Sequence, residues 1–371
     1  MDDDVSLMLR QSAEDFLRAC RSSAARRGVR ELPAAVDRAR WSDMADLGWL
    51  GLGLPEALGG TGLGLDAATE LVKLFGQHAF PEPFVACCVM PSVILAAAPD
   101  GPVRREIAEA MSEGRRIVTV AWQESDAELV PADRGACVHD RTLSGRKIFV
   151  PSLEAGGVIL ASAQTRSGPV VVAVDADRVG DRVQRHLSGM GTFSTIDFDR
   201  TPVIGDAPLI EGDAALAAVR ASIEAANIAL AALLTGIAKG ALDATLTHIG
   251  DRVQFGRPIG SFQVIQHRCV DLHLGVQLAD ASWRNALRAQ RRAACSRESS
   301  LATSAAKARA SDVALQVTRA AIQMHGAMGF TDEAEPGFFL RAAMHGAAWL
   351  GTANLHRRRF HGARSTEAAH A

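Results

Sequence analysis

The sequence contains no tyrosine, and only 5% of its 371 residues are aromatic. A phenolic hydroxyl, which donates or accepts protons in many enzymes, is therefore excluded from any reaction of this chain. An excess of charge of one sign is also missing, because 40 lysines and arginines face 42 acidic residues and the net charge is -2. Without a basic field, neither nucleic acid nor an anionic membrane is an expected partner.

The six cysteines lack the spacing of a zinc site, a redox motif or a disulfide framework. We expect them to be reduced thiols. They stand at Cys20, Cys87, Cys88, Cys137, Cys269 and Cys295.

Long uncharged hydrophobic runs are missing as well. No apolar stretch reaches the roughly 20 uncharged residues that a membrane-spanning helix needs. Residues 1–4 read MDDD, which is acidic where a signal peptide would be basic. These features predict a cytoplasmic protein, and its 48% hydrophobic composition is enough to bury a core without a partner.

The hydrophobic period changes twice along the chain. Amphipathic helical spacing in the first 116 residues gives way to short β-type runs between turns, and long helical spacing returns after Gly212. The pattern predicts an α+β protein with an N-terminal helical domain (1–116), a middle antiparallel β barrel or sandwich (117–212) and a C-terminal four-helix bundle (213–371). The four long helices are expected at about 213–254, 262–294, 301–324 and 338–359.

A glycine-rich segment at residues 51–62 could be mistaken for a dinucleotide-binding fingerprint. It follows a helical pattern rather than a strand, and it contains Pro55. A Rossmann site needs a strand, a glycine turn and a helix in that order, so this interpretation is disfavoured.

Two blocks carry a resemblance to a known family. Residues 252–263 read RVQFGRPIGSFQ and residues 323–331 read QMHGAMGFT, with a looser match over residues 47–62. Across essentially its whole length the sequence resembles the acyl-CoA dehydrogenases, in particular the short bacterial type. The resemblance implies the same domain order, a role in lipid metabolism, and FAD held at a subunit interface.

Both blocks suit a flavin dinucleotide on physical grounds. Its pyrophosphate needs a bidentate cation such as Arg252 and a close backbone approach at a glycine such as Gly326. In the family the two blocks help to hold the FAD of the neighbouring protomer, which implies an oligomer. The resemblance assigns FAD contacts to Arg252, Gln254, Phe255, Gln263, Gln323, Gly326, Ala327, Thr352, Asn354, Trp122, Phe149 and Ser152. Taken alone, Arg252 could instead form an ion pair with Asp251 or Asp271, and Gln323 could cap a helix.

The proton acceptor of the family is missing from both of its usual positions. Counting 27 residues from Gln323 leads to Leu350, where the family places a carboxylate before Gly-Thr. The alternative base position, on the helix before Arg252, is Ala226. Glu224 is the nearest carboxylate on that helix, although two residues correspond to about 200° of rotation. We take Glu224 as the candidate base.

Two further departures concern the flavin. Only residues 123–126, reading QESD, match the family's middle-domain motif. The strand that usually offers a threonine hydroxyl near flavin N5 has Pro151 there, which lacks an N–H group. Trp122 and Phe149 could still pack against the flavin ring.

Two other groups of polar residues could suggest a binding site. His267, Asp271 and His273 could suggest a metal, but no further ligand completes the face of the helix, and a polar helix surface is the commoner explanation. The basic residues 356–359 could bind a phosphate, or could simply complement the dipole at a helix C-terminus.

The leading hypothesis is an FAD-dependent acyl-thioester dehydrogenase or its subunit, which desaturates the α,β bond and passes hydride to flavin N5. Its base is either unorthodox or supplied by a related partner chain, so both a homo-oligomer and a hetero-oligomer are open. The electron acceptor implied is electron-transfer flavoprotein or a similar protein. Two alternatives remain: other flavin chemistry on this fold, as an oxygenase or reductase, and an inactive structural subunit of a heteromeric dehydrogenase.

Overall fold

The computed structural model describes residues 3–20, 36–131, 135–180, 182–187, 191–331 and 335–368. Helices come first along the chain, then a β sheet, then helices again, in the predicted order. The helices before the sheet are α1 (Asp3–Ala19), α2 (Arg38–Asp46), α3 (Gly64–Gln77), α4 (Met90–Ala97) and α5 (Pro102–Ser112). A single π-helical stretch, Val85–Val89, leads directly into α4.

Eight strands form the central sheet. They are β1 (Val118–Ala121), β2 (Cys137–His139), β3 (Thr142–Pro151), β4 (Val158–Thr165), β5 (Gly168–Asp175), β6 (Val183–Leu187), β7 (Thr192–Pro202) and β8 (Ile210–Glu211). The spatial order is β6-β7-β3-β2-β4-β5-β8, with β1 paired to β4. Buried aliphatic residues such as Leu143, Val150, Ile159 and Val172 form the core behind the sheet.

The α+β class is confirmed, but the sheet is mixed rather than purely antiparallel. Strand β4 runs parallel to both β1 and β2. The chain reaches β4 from β1 through β2 and β3, not through a hairpin, so β1 and β4 can enter the sheet in the same direction. The sequence pattern alone could not distinguish the two directions.

The C-terminal helices are α6 (Asp213–Asp251), α7 (Gln263–Arg292), α8 (Arg297–His325), α9 (Pro336–Ala348) and α10 (Ala353–Ala368). A small hairpin of β9 (Val253–Gln254) and β10 (Arg257–Pro258) follows α6. The single helix expected over residues 338–359 was wrong, because it is two helices. Leu350 and Gly351 have φ of 55° and 101°, and left-handed residues of this kind end an α-helix.

By contact density the described residues fall into two compact units. The first comprises residues 36–68 and 81–226, and the second comprises residues 3–20, 69–80 and those from 227 onward. The domain boundaries expected after residues 116 and 212 rest on the change of hydrophobic period and stay a prediction.

Among the described residues, α6 is the one helix long and apolar enough to cross a membrane, and 89% of its most apolar stretch is buried inside the protein. Within the second unit α6 packs closely on α3 at two glycines. A Cβ on Gly236 would lie 2.0 Å from the Lys73 carbonyl oxygen, and one on Gly240 would lie 2.1 Å from that of Gln77. Glycine is therefore required at this helix crossing. A cytoplasmic location stays a prediction.

Candidate functional site

The turn between α9 and α10 carries Leu350, which the count from Gln323 predicts at the position of the family's carboxylate. Leu350 is only 3% exposed. Its carbonyl oxygen accepts a hydrogen bond from His356 Nε2 at 3.0 Å. Lys307 Nζ, from α8, donates to the carbonyl oxygens of Gly351 at 3.1 Å and of Ala347 at 3.4 Å. Two buried side chains thus bind three backbone carbonyls of one turn.

Lys307 and His356 are both completely buried. Burial lowers the pKa of Lys307 to about 7. Burial, followed by the charge of Lys307, lowers the pKa of His356 to about 3, so His356 is neutral near pH 7. Because a carbonyl only accepts, the Nε2 of His356 carries the proton, and Nδ1 is left to accept from the Ser304 hydroxyl at 3.4 Å.

The two usual base positions and the candidate base are all buried. Leu350 is aliphatic, and Ala226 on α6 is fully buried. Glu224 is 4% exposed, although the helical rotation separates it from Ala226. Both the face of α6 that carries Ala226 and the face that carries Glu224 are buried. The structure therefore places a carboxylate inside the protein at Glu224, and its role as base stays a prediction.

The hairpin after α6 projects the first sequence block outward. Arg252, Gln254 and Gln263 are exposed, and Phe255 is 94% exposed. Phe255 and Gly256 both have positive φ, as a tight two-residue hairpin turn requires. Within the described part of the chain, Arg252 forms no ion pair with Asp251 or Asp271.

The second block lies at the end of α8. Gln323, Gly326 and Ala327 are exposed. Gly326 has φ of 64°, and a Cβ placed on it would meet nothing within 4 Å, so a ligand can approach its backbone. The carbonyl of Gln323, not its side chain, makes the C-terminal cap by accepting from the Gly326 N–H.

Two stacked histidines join the helix ends that carry these two blocks. His248, one turn before Arg252, stacks on His325, two residues after Gln323, with ring centroids 4.1 Å apart. Burial, then the charges of His325 and Arg252, lowers the pKa of His248. Sequence reasoning missed this pair, because no periodic pattern signals a contact between two helix ends.

Thr352 and Asn354, after the Leu350 turn, are both exposed. Thr352 Oγ1 accepts from the Leu355 N–H at 3.5 Å at the start of α10, and Asn354 Oδ1 accepts from Arg357 at 3.2 Å. Arg357 also pairs with Asp312. Since His356 is buried, residues 356–359 do not form a continuous basic surface.

In the first unit, Phe149 is presented outward and Trp122 is not. Phe149 is 43% exposed with φ of 52°, and it lies where the pairing of β3 with β7 shifts register. Trp122 is buried. Ser152 is buried too. Of these three side chains, Phe149 is the one whose surface is open to a ligand.

A buried ion pair holds these two segments of the first unit. Lys147 Nζ lies 2.6 Å from Glu124 Oε1 and donates to the Trp122 carbonyl at 3.3 Å. Burial lowers the pKa of Lys147, whereas Glu124 opposes that shift. The backbone N–H of Ile148 also donates to the Gln123 carbonyl at 2.9 Å. Lys147 thereby fixes the backbone beside Phe149.

These features fit a flavin dinucleotide. In the second unit, Arg252 offers a guanidinium that suits a pyrophosphate, and the open backbone at Gly326 allows close approach. In the first unit, taken by itself, Phe149 offers an aromatic face that suits a flavin ring. No cluster of three metal-binding side chains occurs among the described residues. Helical segments on either side of a central mixed sheet, together with these donors, are typical of a flavoprotein of the oxidoreductase class.

Comparison with known proteins agrees at the level of the family. Residues 3–86 match the family model of the acyl-CoA dehydrogenase N-terminal domain, and residues 216–363 match that of the C-terminal domain. The chain belongs to the acyl-CoA dehydrogenase family. It is an oxidoreductase that acts on the CH–CH bond of acyl-CoA thioesters, and FAD is its cofactor.

Individual relatives cover nearly the whole chain. Acyl-CoA dehydrogenase IpdE2 of Mycolicibacterium smegmatis is 27% identical, with 92% of this chain and 93% of that protein covered. Acyl-CoA dehydrogenase FadE27 of Mycobacterium tuberculosis is 26% identical over 85% of each. Among solved structures, the Tcur3481-Tcur3483 steroid ACAD G363A variant matches with a TM-score of 0.87 and 28% identity over 99% of both chains.

Proposed function

We propose that this chain is the FAD-binding subunit of an acyl-CoA dehydrogenase made of unlike chains, and that a related partner supplies the carboxylate that Leu350 replaces. The observation that carries the proposal is the turn at Leu350. The count from Gln323 predicts the family's carboxylate at this residue, and the leucine side chain cannot accept a proton. Loss of a general base typically costs about 10²–10⁴-fold in rate, so a carboxylate must come from elsewhere.

When bound, FAD supplies the acceptor for the hydride that leaves the β carbon of the acyl chain. The chain's own residues would bind the FAD and shield the reaction site from water. Arg252, in the second unit, would neutralise a pyrophosphate, and Phe149, in the first unit, would offer its ring to a flavin. Leu350 presents an apolar surface and excludes water at the position where relatives hold a base.

Two similar structures support the unlike-chain arrangement. One contains Tcur3481 and Tcur3483 and is called a steroid ACAD, and another, 21% identical, is the ChsE4-ChsE5 complex from Mycobacterium tuberculosis. By analogy with the first, we propose a bulky polycyclic acyl-CoA, such as a steroid side-chain thioester, as the substrate. Electron-transfer flavoprotein or a similar protein is the proposed electron acceptor.

An exposed apolar surface on the second unit supports a partner chain. Four aliphatic side chains on α7 are more than half exposed, and two of them, Leu274 and Leu278, lie one helical turn apart. Exposed patches of this kind mark protein interfaces. The surface comprises Phe255, Val264, Val270, Leu274 and Leu278. We propose that the related subunit covers it.

A second candidate function needs no partner: Glu224 acts as the base. The observation in its favour is the burial of this carboxylate on α6, where its neighbours are mostly apolar apart from the buried Ser222 and Asn227. A buried Glu224 that only bonds within the core is the competing explanation.

Visible absorption of the bound flavin separates these functions. Acyl-CoAs are added anaerobically to the purified chain, first alone and then in the presence of the related chain. Flavin that bleaches only when the partner is present supports the proposal. Bleaching by the chain alone, abolished in Glu224→Gln, overturns it in favour of Glu224. Flavin reduced by a nicotinamide cofactor, or oxygen consumed with substrate, would show other flavin chemistry. Bound flavin that none of these reduces would indicate an inactive subunit.

Restoring the carboxylate is the matching gain-of-function test. Leu350→Glu is expected to bleach the flavin with acyl-CoA in the absence of a partner, and Leu350→Gln is the matched control of equal size without a base. Equal inactivity of both variants at full FAD content would mean that the acyl site itself is incomplete in this chain.

A further inference from the structure

We infer that Lys307 and His356 are positioning residues for residue 350: they hold the turn between α9 and α10 so that this side chain keeps one fixed direction. The inference deepens the proposed function and rests on it in one respect only, that position 350 meets the substrate. The geometry itself stands on the hydrogen bonds of the turn.

The turn needs holding because its backbone is unfavourable for leucine. Leu350 has φ of 55°, in the left-handed region where the Cβ of an L-residue crowds the following carbonyl. Gly351 follows with φ of 101°, so two residues in succession depart from the helical path. Such a conformation persists only when its surroundings determine it.

The surroundings consist of hydrogen bonds to three carbonyls. Lys307 Nζ donates to Ala347 at the end of α9 and to Gly351, which brackets Leu350 on both sides. His356 Nε2 donates to the Leu350 carbonyl itself at 3.0 Å. The backbone of residue 350 is therefore fixed from α8 and from α10.

The chemistry of Lys307 differs from that of the other buried lysine. Lys147 pairs with the carboxylate of Glu124 at 2.6 Å. Among the described residues, Lys307 contacts oxygens of carbonyls and of the Ser311 hydroxyl only, and burial alone shifts its pKa. A buried ammonium without a counter-ion is costly, and an apolar residue would fill the core more favourably. Its three donors explain why a lysine stands there.

Hydrogen exchange of the full-length chain tests the inference without any activity measurement. In Lys307→Met, amides of the peptide covering residues 349–356 should exchange about tenfold faster, while the rest of α8 and α9 keeps its protection. Lys73→Met is the matched control, because it removes an ammonium paired with Asp280 in the same unit. It should leave that peptide unchanged. Uniform acceleration across the helices, or none in the peptide, overturns the inference.

Substitution of His356 provides the second variant should Lys307→Met not fold. His356→Gln retains a donor that can reach the Leu350 carbonyl, whereas His356→Leu removes it. We expect the amides of residues 349–356 to exchange at close to the parent rate in His356→Gln and faster in His356→Leu. Equal exchange in both variants overturns the role of His356.

A functional arm uses Leu350→Glu as the parent. Adding Lys307→Met should lower the limiting rate of flavin bleaching about 100-fold at equal FAD content, with little change in the half-saturating acyl-CoA concentration. Adding Lys73→Met should change neither. A change in half-saturation alone would contradict positioning. If Leu350→Glu itself stays inactive, the proposed function fails while hydrogen exchange still decides the present inference.

Discussion

The imidazole of His356 donates from Nε2 to the carbonyl oxygen of Leu350 at 3.0 Å, and both residues are buried in the protein core. A histidine at this site is held neutral. Protonation would place a second charge beside the ammonium of Lys307, which already lowers the pKa of His356. The turn at the family's base position is thus coupled to acid stability.

The first prediction concerns pH. The pKa of His356 is about 3 in the folded protein, against an ordinary value near 6.5, so the unfolded chain binds the extra proton more readily between these values. Stability is therefore lost as the pH falls through this window. In His356→Gln the loss should be shallower by up to about 1.4 kcal/mol per pH unit.

Urea unfolding of both proteins between pH 7 and pH 4 measures the difference. Other titrating groups, including His345, whose pKa burial lowers to about 4, are common to both proteins and cancel. Identical pH slopes would mean that His356 titrates normally in the fold.

The second prediction concerns the buried pair beside Phe149. Lys147→Met leaves the Glu124 carboxylate without its partner in a nearly closed environment, which should cost about 3–5 kcal/mol of unfolding free energy. Arg146→Ala, at the adjacent position, breaks an exposed pair with Asp197 that solvent screens, and should cost far less. Denaturant titration compares the two. Adding Glu124→Leu to Lys147→Met should recover part of the loss, and no recovery would argue against the uncompensated negative charge of Glu124 as the cause.

The third prediction concerns the crossing of α3 and α6. Gly236→Ala would force a Cβ to within 2.0 Å of the Lys73 carbonyl, a backbone atom that cannot rotate away. We expect a loss of more than about 3 kcal/mol, or failure to fold. Gly250→Ala lies on the same helix with open space around it and should gain about 0.5–1 kcal/mol. Thermal unfolding of the pair tests this, and equal effects would refute the close approach.

The fourth prediction concerns the exposed ring of Phe255. Because this side chain is 94% exposed, Phe255→Ala should change the unfolding free energy of the chain by less than about 0.5 kcal/mol. If the ring packs on a second chain and its flavin, the same substitution should shift the oligomer toward monomer and lower the FAD content. Leu246→Ala, a partly exposed residue near the end of α6, is the control. Sedimentation and flavin absorbance give the answer, and an unchanged oligomer would exclude this loop from the interface.

The sequence predicted well whatever depends on local period and on contiguous motifs. Helical spacing located α6, α7 and α8, and the two blocks beginning at Arg252 and Gln323 identified the family and its cofactor. Local propensity carries this information because each residue's spacing to its neighbours determines which face is buried. The empty base position at Leu350 rests on counting along the chain and stays a prediction.

Tertiary structure decided the rest. The break of the last predicted helix at Leu350 depends on hydrogen bonds from Lys307, which is distant along the chain, and from His356 on the following helix. The apolar spacing alone predicts one continuous helix. The parallel entry of β4 and the stacking of two histidines likewise join segments that the sequence separates. Periodicity reports which face of an element is buried, but only packing determines which elements meet and which polar groups they bring together.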